Sequence, residues 1–381
     1  MDPYRFFVPT EIHFSPGAIG QVGRQAARFG RKVMLVTGRQ SSRRSGALDG
    51  AVDSLRAAGL EVIVFDQVEE NPSDRTVAAG ARMAREKSCD VVVALGGGSP
   101  MDAAKGVAIL AVLDGPLAQY YGGGRVDRPV LPVVAAPTTA GTGSEVTPYA
   151  VFVESENDLK CSVASPHIFP RVALLDPELT LSMPPAITAN TGIDALTHAL
   201  EGFTSVKAQP ISDQLALRAI ALINEHLPAA VSHGDRLEPR EHLLHASMLA
   251  GMVIAQTGTT LIHGMGYAPT TRYGIPHGLA NGVLMDQVVI FNGERNPDRY
   301  AALALALGGT VESSMAPQEA ARTLRELRSR VGMPGRLRDL GVAQGDLEDF
   351  ARQTMLHSRN LDNNARDVTL KDVLKIYQDS Y

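Results

Sequence analysis

At 381 residues the chain is too long for one ordinary hydrophobic core, so two domains are expected. A composition of 44% hydrophobic and 20% charged residues is that of a soluble globular protein, and a net charge of -5 excludes general attraction to nucleic acid or anionic membranes. The opening MDPYRFF lacks the apolar core of a secretory signal, no apolar run nears the roughly 20 residues of a spanning helix, and Cys89 and Cys161 are too few for a disulfide framework. The expectation is a cytoplasmic protein with no nucleic-acid or membrane partner.

From residue 32 to about 176, short β-branched runs alternate with helical patterns. Strands are predicted at 33–36, 61–65, 90–95 and 131–136, and helices near 47–59, 74–87 and 100–113. This spacing means parallel βαβ units, and the continuous Val, Ile and Ala content suits strands covered on both faces. Beyond 177–185 the pattern turns helical: Ala216, Ala219, Ile220 and Ile223 recur at helical spacing, and 242–256, 316–331 and 369–378 also read as helices. The fold class is therefore an α/β domain with a parallel sheet (1–181), followed by an all-helical domain (182–381).

The run from Asp90 to Lys105, DVVVALGGGSPMDAAK, is a strand, a glycine turn and a helix start. Consecutive glycines let main-chain N–H groups approach an anion, and the helix N-terminus offers unpaired donors to a pyrophosphate. It is neither G-x-G-x-x-G nor a P-loop, and taken alone it also suits a purely structural turn. A second loop, PTTAGTGSE from Pro137 to Glu145, follows another strand and is dense in small hydroxyls and glycines. It suits phosphate and ribose, or simply a polar connection. Two such loops after neighbouring parallel strands fit ligand binding beyond the strands' carboxyl ends.

In TANTGIDALTHALEGF, Asp194 and His198 stand one helical turn apart on one face, among Ile193, Leu196 and Leu200. A carboxylate and an imidazole in such surroundings need each other or a cation. His263 and His277, in LIHGMGY and GIPHG, have apolar and glycine neighbours. One carboxylate with three imidazoles makes a good shell for Fe(II), Zn(II) or Mn(II), although an isolated Asp/His pair at this spacing is more often a hydrogen-bonded structural pair, and either later histidine alone reads as a satisfied core residue. His13, His167, His226, His233, His242, His245 and His357 have polar or helical surroundings; His242 and His245 lack the H-E-x-x-H order and read as helix decoration.

Along nearly its whole length the sequence resembles the iron-containing (group III) alcohol dehydrogenase family. The resemblance rests on GGGSPMDAAK, PTTAGTGSEVT, LLDPELTLSMPP, TANTGIDALTHALEGF and the stretch from LIHGMGY to GIPHGLANGV. It implies that Asp194, His198, His263 and His277 bind the metal and that Gly97, Gly98, Ser99 and Asp102 form the pyrophosphate loop. Asn71, Thr138, Thr139, Thr147, Val151, Lys160 and Leu179 fall on further cofactor contacts. The implied reaction is hydride transfer between a metal-bound alkoxide and NAD or NADP, interconverting a small alcohol and its aldehyde or ketone. The family commonly forms dimers, for which residues 7–19 offer a pairing segment.

Two positions depart from the family pattern. Many members carry a proton-relaying histidine four residues after the third ligand; here Tyr267 stands there, with a reference pKa of about 10. After the first strand, Gly38 replaces the aspartate that NAD-preferring members use on the ribose, so acceptance of NADP is expected, with Ser41, Arg39, Ser42 or Arg43 as phosphate partners. Arg272 reads as a surface arginine. A dehydroquinate-synthase-like lyase and a non-catalytic nucleotide-binding protein are the alternatives.

Overall fold

The structure, a computed structural model, describes residues 3–156, 159–310 and 313–381. The chain forms two compact units. One comprises Val8–Thr139 and Gly143–Ser182; the other comprises the chain up to Phe7, Ala140–Thr142 and Met183–Tyr381.

The first unit runs β1 (Glu11–Phe14), α1 (Val22–Ala26), β2 (Lys32–Gly38), α2 (Ser41–Arg44), α3 (Ala47–Ala57), β3 (Glu61–Val68), α4 (Asp74–Glu86), β4 (Val91–Gly96) and α5 (Gly98–Val112). It continues through β5 (Gly122–Gly123), β6 (Val133–Pro137), β7 (Tyr149–Glu154), β8 (Leu159–Ala164) and β9 (Val172–Leu175). Six strands form a wholly parallel sheet in the order β1-β9-β6-β4-β2-β3. The apolar runs are continuous because both sheet faces are covered. Val33, Leu35, Val91, Val93 and Leu95 pack with Leu48, Ala51 and Leu55 of α3, while Met34, Val36, Val92 and Ala94 pack with Ala104, Val107 and Ala108 of α5.

The four predicted strands are β2, β3, β4 and β6. The structure adds β1, β9 and a small sheet in the order β5-β8-β7. Strands β1, β5 and β9 are short and β8 shows no regular alternation, which hid their period. Strands β3 and β4 pair on opposite sides of β2, so the chain reverses its winding there. Ligands of open parallel sheets bind beyond the strand ends at such a switch point, and here the strand ends are Gly38 and Gly96.

The second unit is helical: α6 (Pro185–Thr204), α7 (Pro210–Ser232), α8 (Leu237–Thr257), α9 (Leu261–Tyr273), α10 (His277–Gly293), α11 (Pro297–Ala306), α12 (Ala316–Arg330), α13 (Leu347–Thr354), α14 (Ser358–Asp362) and α15 (Leu370–Asp379). Helix α6 starts with proline in its first turn and is buried on every side from Gly192 to Thr204. Its charged residues therefore lie in the core, where each requires a partner. Close packing continues at Gly278 of α10, where a Cβ would fall 2.0 Å from the Asn190 carbonyl oxygen of α6. Among the described residues no helix is long and apolar enough to cross a membrane.

Candidate metal centre and nucleotide loop

Within the α/β unit, the glycine turn joins β4 to α5. Gly96 has φ +147°, and a Cβ there would lie 2.6 Å from Pro100 Cγ, so only glycine fits. Helix α5 begins with no side-chain cap and no acidic residue in its first turn, leaving its N-terminal donors and dipole suited to an anion. The structure gathers the expected contacts around this turn. Asn71, at a left-handed φ of 53°, donates its N–H to Ser99 Oγ (3.1 Å), and Thr138 donates its N–H to the Gly96 carbonyl (2.9 Å). Thr139 stands so close that a Cβ on Gly97 would meet its side chain at 3.2 Å.

Asp102, Thr147, Val151 and Lys160 form a second group. The Asp102 carboxylate accepts from Ser144 Oγ (2.9 Å) and the Val151 N–H (3.0 Å), with Lys105 and Lys160 as neighbouring positive charges. Burial outweighs these partners and raises its pKa. Lys105 is fully buried, donates to Ser144 Oγ (2.8 Å) and to the carbonyls of Thr147 (3.0 Å) and Tyr149 (2.6 Å), and is pushed down to about 8 by burial. It pins the 144–149 segment to α5. Leu179 packs half-buried on the cluster shared with α3.

Gly38 ends β2, and a Cβ there would meet only Pro100, the Val68 carbonyl and Ser41 Oγ at 3.8–3.9 Å. Around it, Ser42 is buried, Arg39 Nε donates to the Gln67 carbonyl (3.3 Å), and Arg43 pairs with Asp66 at 2.8 Å. Ser41 is exposed beside Gly38.

In the helical unit, Asp194 and His198 come from α6, His263 from α9 and His277 from the first residue of α10. Asp194, His263 and His277 each offer a donor atom within 4.8 Å of the others, and His263 Nε2 lies 3.7 Å from Asp194 Oδ1. His198 joins them by stacking its ring on His263, centroids 4.7 Å apart. Burial tends to raise the Asp194 pKa, yet the three imidazoles and Asn281 bring it below the usual carboxylate range. Burial lowers that of His198, which favours the neutral, ligating imidazole.

Three groups outside the four candidates orient them. Glu201, one turn on from His198 and fully buried, accepts the Nδ1–H of His263, the His263 backbone N–H (3.2 Å) and Thr260 Oγ1 (2.8 Å). The Gly141 carbonyl accepts from His198 Nδ1 (3.3 Å). A carboxylate and a carbonyl only accept, so both rings carry their proton on Nδ1 and present Nε2 as the lone-pair donor. Asn281, one turn on from His277, sets its amide nitrogen 3.2 Å from His277 Nε2 and 3.4 Å from Asp194 Oδ1. Glu201 was findable in the sequence as a glutamate on the apolar face of α6; Gly141, expected only in a phosphate or polar loop, was not. One carboxylate and three imidazoles, two of them with Nε2 free of a proton, fit a divalent transition metal.

Tyr267 stacks on His277, centroids 5.7 Å apart and planes 8° from parallel, and burial pushes its hydroxyl up to about 12. His357, read from sequence as an ordinary polar histidine, stands edge-on to Tyr267 at 4.9 Å. Arg272 pairs with Asp346 (2.8 Å) and Asp349 (2.9 Å) on the surface.

Comparison with known proteins identifies the family. Residues 9–177 match the family model of iron-containing alcohol dehydrogenase, and residues 188–381 match the C-terminal model of the Fe-containing alcohol dehydrogenase family. The chain is 38% identical to 1,3-propanediol dehydrogenase of Klebsiella pneumoniae, covering 99% of this chain and 100% of that one. It is 34% identical to NAD-dependent methanol dehydrogenase of Bacillus methanolicus, covering 98% and 99%. A crystal structure of 1,3-propanediol oxidoreductase superposes with a TM-score of 0.96 at 37% identity, covering 100% of both chains. With both family segments matched in order, the chain belongs to the iron-containing alcohol dehydrogenase family and is a metal-dependent, nicotinamide-linked alcohol dehydrogenase.

Proposed function

We propose that Asp194, His198, His263 and His277 hold one divalent ion, iron(II) in first place with zinc(II) or manganese(II) able to substitute, and that the chain interconverts a small alcohol with its aldehyde or ketone. The observation that carries this reading is the buried convergence of Asp194, His263 and His277, with His198 stacked alongside. When bound, the ion supplies Lewis acidity that lowers the pKa of an alcohol hydroxyl toward neutrality. The donor set contributes one negative charge, which leaves the centre net positive and receptive to an alkoxide. Glu201 and Gly141 keep the ligand nitrogens aimed, and Tyr267 shields the His277 ring from water.

On this reading residues 1–181 bind the dinucleotide and 182–381 bind metal and substrate. Gly97, Gly98 and Ser99 with the α5 N-terminus take the pyrophosphate, flanked by Asn71, Thr138 and Thr139. Asp102, Thr147, Val151 and Lys160 shape a further part of the cofactor site, and Leu179 offers an apolar contact. Both NAD(H) and NADP(H) are accepted: Gly38 presents no carboxylate, exposed Ser41 stands beside it, and the exposed Arg43–Asp66 pair costs at most about 1 kcal/mol to open toward a 2′-phosphate. A cytoplasmic homodimer completes the proposal, supported by β1, which lies at the edge of its sheet.

The test is a panel of short alcohols and diols, directed by the relatives named for 1,3-propanediol and methanol. Protein stripped by chelator and reloaded with iron or zinc is incubated with NAD+ or NADP+. Reduced cofactor should form only after reloading. Loaded protein that yields none across the panel overturns the reading, and a lyase would also yield none.

A further inference from the structure

The hairpin of α7 and α8 carries a second cluster of metal-type side chains. His226 lies near the end of α7, Glu238 and His242 lie in the first turns of α8, and residues 233–236 join the two helices. Each of the three offers a donor atom within 4.8 Å of the others. The His226 and His242 rings stack with centroids 4.0 Å apart. Glu238 Oε1 lies 3.6 Å from His226 Nδ1 and 3.6 Å from His242 Nε2, and Glu225 Oε2 lies 3.7 Å from His226 Nε2.

These separations decide between a hydrogen-bonded network and a cation site. They exceed N–H···O hydrogen bonds of about 2.7–3.2 Å, and they are too short for a bridging water, which would hold its partners roughly 4.5 Å apart. They approach the edges of a tetrahedral coordination shell, which metal–ligand bonds of about 2.0–2.1 Å set near 3.3–3.4 Å. The nearly parallel rings must splay for both nitrogens to reach one ion, and His242 has room to do so with its side chain 37% exposed. Burial and the neighbouring His242 ring hold His226 below the usual imidazole pKa, which favours its ligating form. Glu225 stands at the far edge of the His226 ring, where a carboxylate orients a ligand histidine.

We propose that His226, Glu238 and His242 form a second divalent-cation site, taking a zinc-type ion, that clasps the α7–α8 turn. Two imidazoles and one carboxylate leave a fourth position to water, as expected of a partly exposed site. The ion ties the end of α7 to the start of α8 and so stabilises the hairpin.

The experiment counts zinc bound per chain after equilibrium dialysis at a fixed micromolar free zinc concentration. Wild-type protein should retain about one ion more than His242→Ala or Glu238→Gln, whatever its total. Because the readout is this difference, failure of the principal centre would lower all counts together and leave the difference intact. Zinc added to iron-loaded wild type should raise its melting temperature, with no such rise in either variant, while alcohol oxidation stays unchanged in both. Equal zinc content in wild type and both variants overturns the proposal.

Discussion

Replacing Glu201 with glutamine exchanges one carboxylate oxygen for an amide group at the middle of the metal-side network. In the native chain Oε1 accepts from Thr260 Oγ1 (2.8 Å) and the His263 N–H (3.2 Å), while Oε2 accepts from the His263 imidazole. Glutamine has one oxygen for these two sides. If the oxygen stays with Thr260, the amide N–H₂ faces the Nδ1–H of His263, and two donors confront each other. The ring escapes by moving its proton to Nε2, the nitrogen nearest Asp194, and a protonated nitrogen cannot ligate. If the amide turns over, the Thr260 hydroxyl and a buried backbone N–H lose their acceptor.

Either way about one hydrogen bond to a charged group is lost, worth roughly 1.5–3 kcal/mol. The expected result is metal affinity weakened about 10- to 100-fold, measured by competition with a chelator while circular dichroism confirms the fold. Fully loaded Glu201→Gln should recover much of its turnover. Unchanged metal affinity in folded variant protein would refute the claim that Glu201 sets the His263 tautomer for coordination.

Three further outcomes are expected. Gly38→Asp should depress kcat/KM for NADP+ about 100-fold and spare NAD+, since two charges roughly 5 Å apart at an effective dielectric near 20 repel by about 3 kcal/mol; unaltered NADP+ use would remove Gly38 from cofactor choice. Gly278→Ala would bring a Cβ within 2.0 Å of the Asn190 oxygen, so about 1–3 kcal/mol of stability should be lost and metal binding weakened through adjacent His277, whereas a wild-type urea midpoint would show that α10 shifts freely. Glu145 is buried and burial raises its pKa from 4.5 to about 7, so the folded state holds its proton more tightly than the unfolded state. Its contribution to stability is complete below about pH 4.5 and is lost as pH rises through 7, on the order of 3 kcal/mol; Glu145→Gln should flatten that decline in urea titrations across this window, and an unchanged slope would count against it.

Much of this protein was legible because its informative residues are local in sequence. The strand-turn-helix from Asp90 to Lys105 reads directly, since a glycine turn and an uncapped helix start are properties of neighbouring residues. The Asp194–His198 pair reads from helical periodicity alone. Strands β5 and β9 did not, because both are short and are stabilised by partners distant in the chain.

Histidine by itself gave no such guidance. His226, His242 and His357 have unremarkable neighbours in sequence, and only the crossing of helices brings the first two together and sets the third beside Tyr267. The loop from Pro137 to Glu145 likewise read as a polar ligand loop, yet its Gly141 carbonyl orients His198. The sequence by itself determined the two classes of architecture and the glycine turn, because periodicity and residue chemistry are encoded in short windows, while the four candidate ligands stood out only together with the family resemblance. Tertiary structure alone decided which imidazole nitrogen faces the centre, that Lys105 is a buried pin, and that a second cluster exists on α7 and α8. Those depend on distances between residues tens of positions apart, which packing sets and composition does not.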